Sequence, residues 1–339
     1  MLKEVCISST IVLPSLINIE KRINLLNQIK MWLTFLFNYQ KQIHILIVSN
    51  EIKTISNIVE KIGIENENIN ILEIKNKDLI FCNQSKNENF RYAFSKLDSL
   101  SIINNFLIRN KQFKKLIVSD IDSIFLDIKR IINYSQNIKS LAAINYRTEL
   151  TTNYKFDQML SKCIISFYPN FISNKKLAWI NSGFIIFDIS LLPLVIKFII
   201  PAFNWINNNR ECVKSSTSNH YSDEIVFSAI FNKFKGKELN NYSNKIARFF
   251  WTCNTKNRTP FFLNPFVYPS HIHLPASKFV DSTYQMSLLT KMGKIKELNL
   301  LLLLFINYWS IKSRLFFYFI NSPLGVKLRK FKNFLKIKA

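Results

Sequence analysis

The first 125 residues alternate short β-branched apolar runs with longer amphipathic stretches, and few folds accept that order. Val5 to Leu13, His44 to Val48, Ile69 to Ile74 and Leu116 to Val118 read as strands. Between them, Glu20 to Asn38, Ile52 to Ile62 and Phe90 to Arg109 read as helices. On the first helix Ile23, Leu26, Ile29, Leu33 and Leu36 recur at helical spacing. Gly63 follows the second, where a left-handed C-cap belongs. A β-α-β-α-β-α-β order implies a mostly parallel sheet covered on both faces. Further strands are expected at Leu141 to Tyr146, Trp179 to Phe187, Ile246 to Trp251 and Phe266 to His273. Helices are expected at Leu191 to Asn207 and Asp223 to Phe234.

The fourth strand ends in two acids, within Lys115-Leu-Ile-Val-Ser-Asp-Ile-Asp-Ser-Ile-Phe125. Open α/β sheets bind ligands beyond the carboxyl ends of their strands. Asp120 and Asp122 are two residues apart, so an extended backbone puts both on one side of the chain. Such a pair can hold a divalent cation, which in turn can hold a diphosphate. The plainer alternative is a solvated strand-to-loop junction, where Asp is common as a turn residue.

Composition narrows the choice. A chain of 339 residues with 48% hydrophobic and 20% charged residues folds around a large core. Only five glycines are present, with neither G-x-G-x-x-G nor a Walker A sequence. Phosphate must then be held by a metal, by Lys or Arg, or by helix N-termini. Five scattered cysteines form no metal-binding spacing and fit a reducing compartment. The opening residues read as a first strand, and as neither a signal peptide nor an anchor.

Four more segments complete a recognisable order. Arg91-Tyr-Ala-Phe-Ser-Lys-Leu97 precedes the acids. Ala178-Trp-Ile-Asn-Ser-Gly-Phe-Ile-Ile-Phe-Asp188 is a strand containing Asn-Ser-Gly. Ser222-Asp-Glu-Ile-Val-Phe-Ser228 opens a helix with two acids. Ser270-His-Ile-His-Leu-Pro-Ala-Ser-Lys-Phe279 closes a late strand. In this order, over roughly residues 5 to 280, the chain resembles the GT-A glycosyltransferases, and among them the enzymes related to glycosyltransferase family 8.

The resemblance implies an α/β GT-A (nucleotide-diphosphosugar transferase) fold with a mostly parallel central sheet. It also implies transfer of a sugar from a nucleotide-diphosphosugar, a UDP-sugar being the expected donor, to a glycan or lipid-linked acceptor. Asp120 and Asp122 match the family's D-x-D, which holds Mn²⁺ or Mg²⁺ on the donor diphosphate. His271 and His273 both compete for the place of the late histidine that completes the metal site. Asn181, Ser182 and Gly183 match the stretch beside the donor sugar. Asp223 and Glu224 match the catalytic D-Q pair, with Glu here in place of Gln. Arg91, Lys96 and Lys278 fall where the donor's charge would be met. Lys278 lies seven residues after His271 and five after His273, whereas the family's spacing is six.

Each of these residues also has a plainer reading. Asn181-Ser-Gly183 could be a turn. Asp223 and Glu224 could simply complement a helix dipole. His271 and His273 share a strand face and could be a surface pair. Arg91 and Lys96 could be solvated helix charges. Trp32, Trp179 and Trp205 read as core residues, and His44 and His220 are given no role. A nucleotidyltransferase also joins metal and carboxylates on an α/β sheet, but its Gly-rich basic signature is missing after the first strand. A nucleic-acid-binding protein would suit the net charge of +24, yet it needs neither the acids nor the histidines.

The catalytic domain is placed at residues 1–285 and a basic amphipathic helical tail at 286–339. Residues 291–339 hold eleven Lys or Arg against one acid, Glu297. Leu298 to Ile311 is an uncharged run of 14 residues, short of the ~20 that span a bilayer. Such a tail lies on an anionic membrane surface, which places the protein at the cytoplasmic face of a membrane. An ordinary helical cap on the domain is the alternative.

Overall fold

The computed structural model describes residues 3–13, 19–85, 91–125, 127–145, 154–172, 177–217, 223–239, 247–249 and 270–273, with backbone alone at Arg91, Tyr154, Thr217, 247–249 and 271–273. Lys278, the boundary near residue 285 and the tail at 286–339 lie outside the described residues.

Seven strands form the central sheet: β1 (Val5–Ile11), β2 (His44–Ser49), β3 (Ile69–Glu73), β4 (Lys115–Ser119), β6 (Leu141–Asn145), β7 (Ile180–Asp188) and β8 (Lys237–Glu238). Their order is β3-β2-β1-β4-β7-β6-β8. β7 runs against both of its neighbours, and the other pairs are parallel. A second, three-stranded sheet carries β5 (Ser123–Phe125), β10 (His271–His273) and β9 (Ala247–Phe249), in that order.

The alternation along the strands explains the two covered faces. Ile45 and Ile47 of β2 join one core, while Leu46 and Val48 join the other. The first core is filled by α1 (Ile19–Phe37), α2 (Ile52–Ile62) and α5 (Ile128–Gln136). The second is filled by α4 (Ser95–Arg109), α6 (Tyr154–Phe167), α7 (Leu192–Asn208) and α9 (Asp223–Lys233). Two shorter helices, α3 (Ile80–Gln84) and α8 (Arg210–Thr217), sit beside them. On α1 the buried stripe holds Ile29, Trp32, Leu33 and Leu36, whereas Ile23 at the open end is 52% exposed. Gly63 ends α2 with φ of 84°, its N–H reaching the Val59 and Glu60 carbonyls. Cys6 and Cys163 are buried thiols outside any disulfide.

Two local features aim the site. The stretch before the acids is not one helix from residue 90. Arg91–Phe94 form a 3₁₀ turn, and α4 starts at Ser95. The first turn of α4 is anchored sideways by Asp98, which accepts the Phe81 and Cys82 N–H groups at 2.8 and 3.2 Å. Asn181-Ser-Gly183 lies inside β7, so it is strand rather than turn.

Candidate active site

The site is built where β4 ends, α4 and α9 begin, and β7 passes. Asp120 follows the last residue of β4, and its N–H donates to the Gly183 carbonyl at 2.9 Å. That bond extends the β4–β7 ladder one step beyond Ser119 and Phe184. Asp122 lies two residues on, immediately before β5.

Lys96 is the hub. It stands in the first turn of α4, and its side chain is only 10% exposed. Its ammonium pairs with Asp120 Oδ1 at 2.7 Å and donates to the Ser182 carbonyl at 2.8 Å. The Ser182 hydroxyl is at 3.3 Å. Asp223 Oδ2 lies 3.4 Å away, within ion-pair reach and at the longest of these contacts. Lys96 is therefore a buried structural and electrostatic centre, in contrast to a solvated helix charge. Burial alone would push its pKa down. The charges of Asp120, Asp223 and Glu224 outweigh that and hold the ammonium above its ordinary range. Burial pushes the Asp223 carboxyl up from its ordinary value, against the pull of Lys96, and the nearby charge of Asp120 adds to the rise.

Asn181 links strand to helix. Its amide donates to Glu224 Oε1 at 3.0 Å, while its own oxygen accepts the Gly183 N–H at 3.0 Å. Asp223 and Glu224 occupy the first turn of α9, where the helix dipole favours carboxylates. The contacts thus bring together Lys96, Asp120, Asn181, Ser182, Gly183, Asp223 and Glu224, with Asp122 two residues from Asp120. Arg91 sits on the turn before α4, and its side chain is outside the described set, as is Lys278.

The histidines are located by backbone pairing. β10 runs antiparallel to β5, with His273 opposite Ser123 and His271 opposite Phe125. His273 is thus registered with the residue that follows Asp122, and His271 is two positions further along β5.

Two supporting serines, Ser228 and Ser119, were not singled out in the sequence. The Ser228 hydroxyl accepts the Ile180 N–H at 3.0 Å and donates to the Glu224 carbonyl at 2.6 Å, fastening β7 to α9. Ser119 donates to the Asp120 carbonyl at 3.0 Å, and the Trp32 indole reaches Ser119 Oγ at 3.4 Å. The signal for Ser228 was a hydroxyl inside the apolar run Ile225-Val-Phe-Ser-Ala-Ile-Phe231. Trp32 is fully buried, as its reading as a core residue implies, while Trp179 and Trp205 are partly buried.

Among the described residues, no three His, Cys, Asp or Glu side chains form a metal-holding group. The donor set still fits a divalent cation. Two carboxylates stand two residues apart at a strand's carboxyl end, and β10 is registered beside the second. Three carboxylates act on the single ammonium of Lys96, so the cluster carries more negative charge than that ammonium balances. Carboxylates with one imidazole suit Mn²⁺ better than Ca²⁺.

No protein-family model matches the chain, and no curated protein sequence is significantly similar to it. Solved structures are similar. The galactosyltransferase LgtC in complex with donor and acceptor sugar analogs aligns with a TM-score of 0.53 at 10% identity, over 83% of this chain and 95% of that one. An active-site glutamine-to-glutamate mutant of LgtC aligns with a TM-score of 0.53 at 11% identity, over 83% and 95%. Mouse xyloside xylosyltransferase 1 in its apo form aligns at 0.48 and 11% identity, over 80% and 97%. On the first two, the chain has the GT-A glycosyltransferase fold, a mixed α/β architecture around a mostly parallel seven-stranded sheet.

Proposed function

We propose that this protein is a metal-dependent glycosyltransferase that moves a sugar from a nucleotide-diphosphosugar, first of all a UDP-sugar, to a glycan or lipid-linked acceptor. The observation that carries this reading is the Lys96 hub. On a GT-A fold, at the carboxyl end of β4, one buried ammonium joins Asp120, Asp223 and the Ser182 carbonyl.

In the reaction, the bond between the sugar's anomeric carbon and the β-phosphate oxygen breaks. A bond from the acceptor oxygen to that carbon forms, and the acceptor's proton passes to a base or to solvent. Negative charge grows on the departing diphosphate, so fixed positive charge there lowers the barrier. Mn²⁺ or Mg²⁺, held by Asp120, Asp122 and one of His271 and His273, would supply most of that charge. Lys96 adds a second cation beside the diphosphate, joined by Arg91 and Lys278. Ser182 and Gly183 line the donor side. Glu224, oriented by the Asn181 amide, faces the sugar with a carboxylate where the related enzymes carry an amide. It can steady oxocarbenium-like charge or take the acceptor's proton. Asp223 holds Lys96 in place.

The acceptor and the basic tail belong to one picture. Residues 286–339 would hold the enzyme at the inner face of a membrane, where a lipid-linked acceptor is presented. Nucleic acid is no partner in this reading.

Calorimetry tests the donor half. UDP should bind in Mn²⁺ and lose at least about tenfold of its affinity in EDTA, a difference of about 1.4 kcal/mol. Equal binding in EDTA would mean that the acids do not bridge metal to diphosphate.

A further inference from the structure

The ammonium that organises the site also stands in the way of a metal. Lys96 Nζ is 2.7 Å from Asp120 Oδ1, and Asp120 is the first acid of the pair to which the proposed reading assigns a divalent cation. An ammonium at hydrogen-bond distance and a divalent ion on the same oxygen repel each other strongly in a half-buried setting. Lys96 has other partners already in place. The Ser182 carbonyl is at 2.8 Å, the Ser182 hydroxyl at 3.3 Å and Asp223 Oδ2 at 3.4 Å. The last of these is the longest of the contacts, so a small swing of the lysine tip can tighten it. A point charge with three donors on a flexible stem is suited to such a move, and a planar guanidinium is less so.

Building on the metal-dependent reading above, we propose that Lys96 is an exchangeable counter-cation. It neutralises Asp120 while the site is empty. It gives that carboxylate up to the divalent cation and stays on Asp223 and Ser182. Two consequences follow from charge. The empty site holds metal weakly, because Lys96 must first be displaced. A nucleoside diphosphate, by adding negative charge between the two cations, strengthens metal binding, and by linkage metal strengthens nucleotide binding equally. Asp223, buried beside Lys96 at the longest of its contacts, is the receiving end of this exchange.

The test is Mn²⁺ binding to the full-length, nucleotide-free protein, followed by the electron paramagnetic resonance signal of free Mn²⁺. Lys96→Met should bind Mn²⁺ about tenfold more tightly than wild type, and Lys96→Arg, whose guanidinium is less able to move aside, should bind it no more tightly than wild type. The gain in Lys96→Met should persist from about 0.05 M to about 0.5 M salt, because a direct contact is screened far less than a distant field. Unchanged or weaker Mn²⁺ binding in a folded Lys96→Met overturns the exchange, as does a gain that vanishes in high salt. Should Lys96→Met not fold, wild type decides alone: the ¹⁵N signal of the Lys96 ammonium must shift when Mg²⁺ binds, and a signal that stays put overturns the proposal. Failure of every form to bind Mn²⁺ even when UDP is added overturns the metal reading itself. Equal binding by wild type and Lys96→Met overturns the exchange alone.

Discussion

Lys96 stays charged in a buried place because three segments supply what an ammonium needs: an acid from the end of β4, an acid from the start of α9, and a carbonyl from β7. Removing one member of a buried charge cluster leaves the others uncompensated, which typically costs about 3–5 kcal/mol. The acids therefore serve the fold as well as the proposed chemistry, and a variant that separates the two roles is needed. Asp122 is suited to this, since the Lys96 ion pairs run to Asp120 and Asp223 and an amide keeps the side-chain shape for the contacts that Asp122 itself makes. Asp122→Asn is nearly isosteric but is a poor metal ligand. We expect it to lower the transfer rate by about a hundredfold or more, roughly 3 kcal/mol of lost transition-state stabilisation. Its thermal unfolding should stay close to wild type. Steady-state kinetics with a UDP-sugar beside a melting curve checks both halves. Wild-type turnover in the purified variant would reduce the acid pair to a turn.

At the scale of elements, the exit from α9 toward β8 is a tight turn closing the site's helix. Phe231, Lys235 and Gly236 form this exit before β8. The Gly236 N–H donates to the Phe231 carbonyl at 2.9 Å, and a Cβ on Gly236 would lie 2.4 Å from the Phe231 ring. Lys235 adopts φ of 50°, which favours glycine. Gly236→Ala should thus destabilise the protein by about 1–3 kcal/mol through overpacking. Lys235→Gly, at an exposed position, should be neutral or stabilise by up to about 1 kcal/mol. Equilibrium urea unfolding of the pair separates steric from backbone effects. Destabilisation by Lys235→Gly would show that its side chain matters more than its φ. The same scale explains what could be read from sequence. β1, β2, β4 and β7 were legible because strands buried on both faces are continuous apolar runs. β5 was not, since its three residues are a strand only through pairing with β10, far along the chain. α3 has five residues and depends on Asp98 from α4. α5 carried a readable start in Asp127, whose side chain accepts the Arg130 N–H, and Ile128, Ile131 and Ile132 at helical spacing, but its nine residues are few for a helix to be read from pattern alone. The burial of Lys96 was illegible for a different reason: three distant segments create it, and no local pattern encodes their meeting.

For the whole molecule, two surfaces compete to explain how a chain with a net charge of +24 would meet a membrane. One is the helix of 20 residues at Ile189–Asn208, long and apolar enough to cross a bilayer by length and composition. It instead buries Leu192, Val195, Ile199, Ala202, Phe203 and Ile206 against the protein. Leu194 and Ile200 remain about half exposed on its outer side. A helix already committed to the core on one face can touch lipid only through such scattered residues, with Lys197 between them. The other is the tail, where Leu298 to Ile311 is apolar and eleven Lys or Arg accompany one acid over residues 291–339. Each basic residue near an anionic surface contributes about 1 kcal/mol, and salt weakens that attraction. We therefore expect the full chain to float with anionic liposomes, to float poorly with neutral ones, and to detach as salt rises. A chain ending near residue 290 should lose flotation and keep Mn²⁺-dependent UDP binding. If the shortened chain still floats, the exposed face carrying Leu194 and Ile200 is the contact. If it no longer binds UDP or unfolds, the tail is a packing element of the catalytic domain. In that case the membrane reading fails while the GT-A site stands.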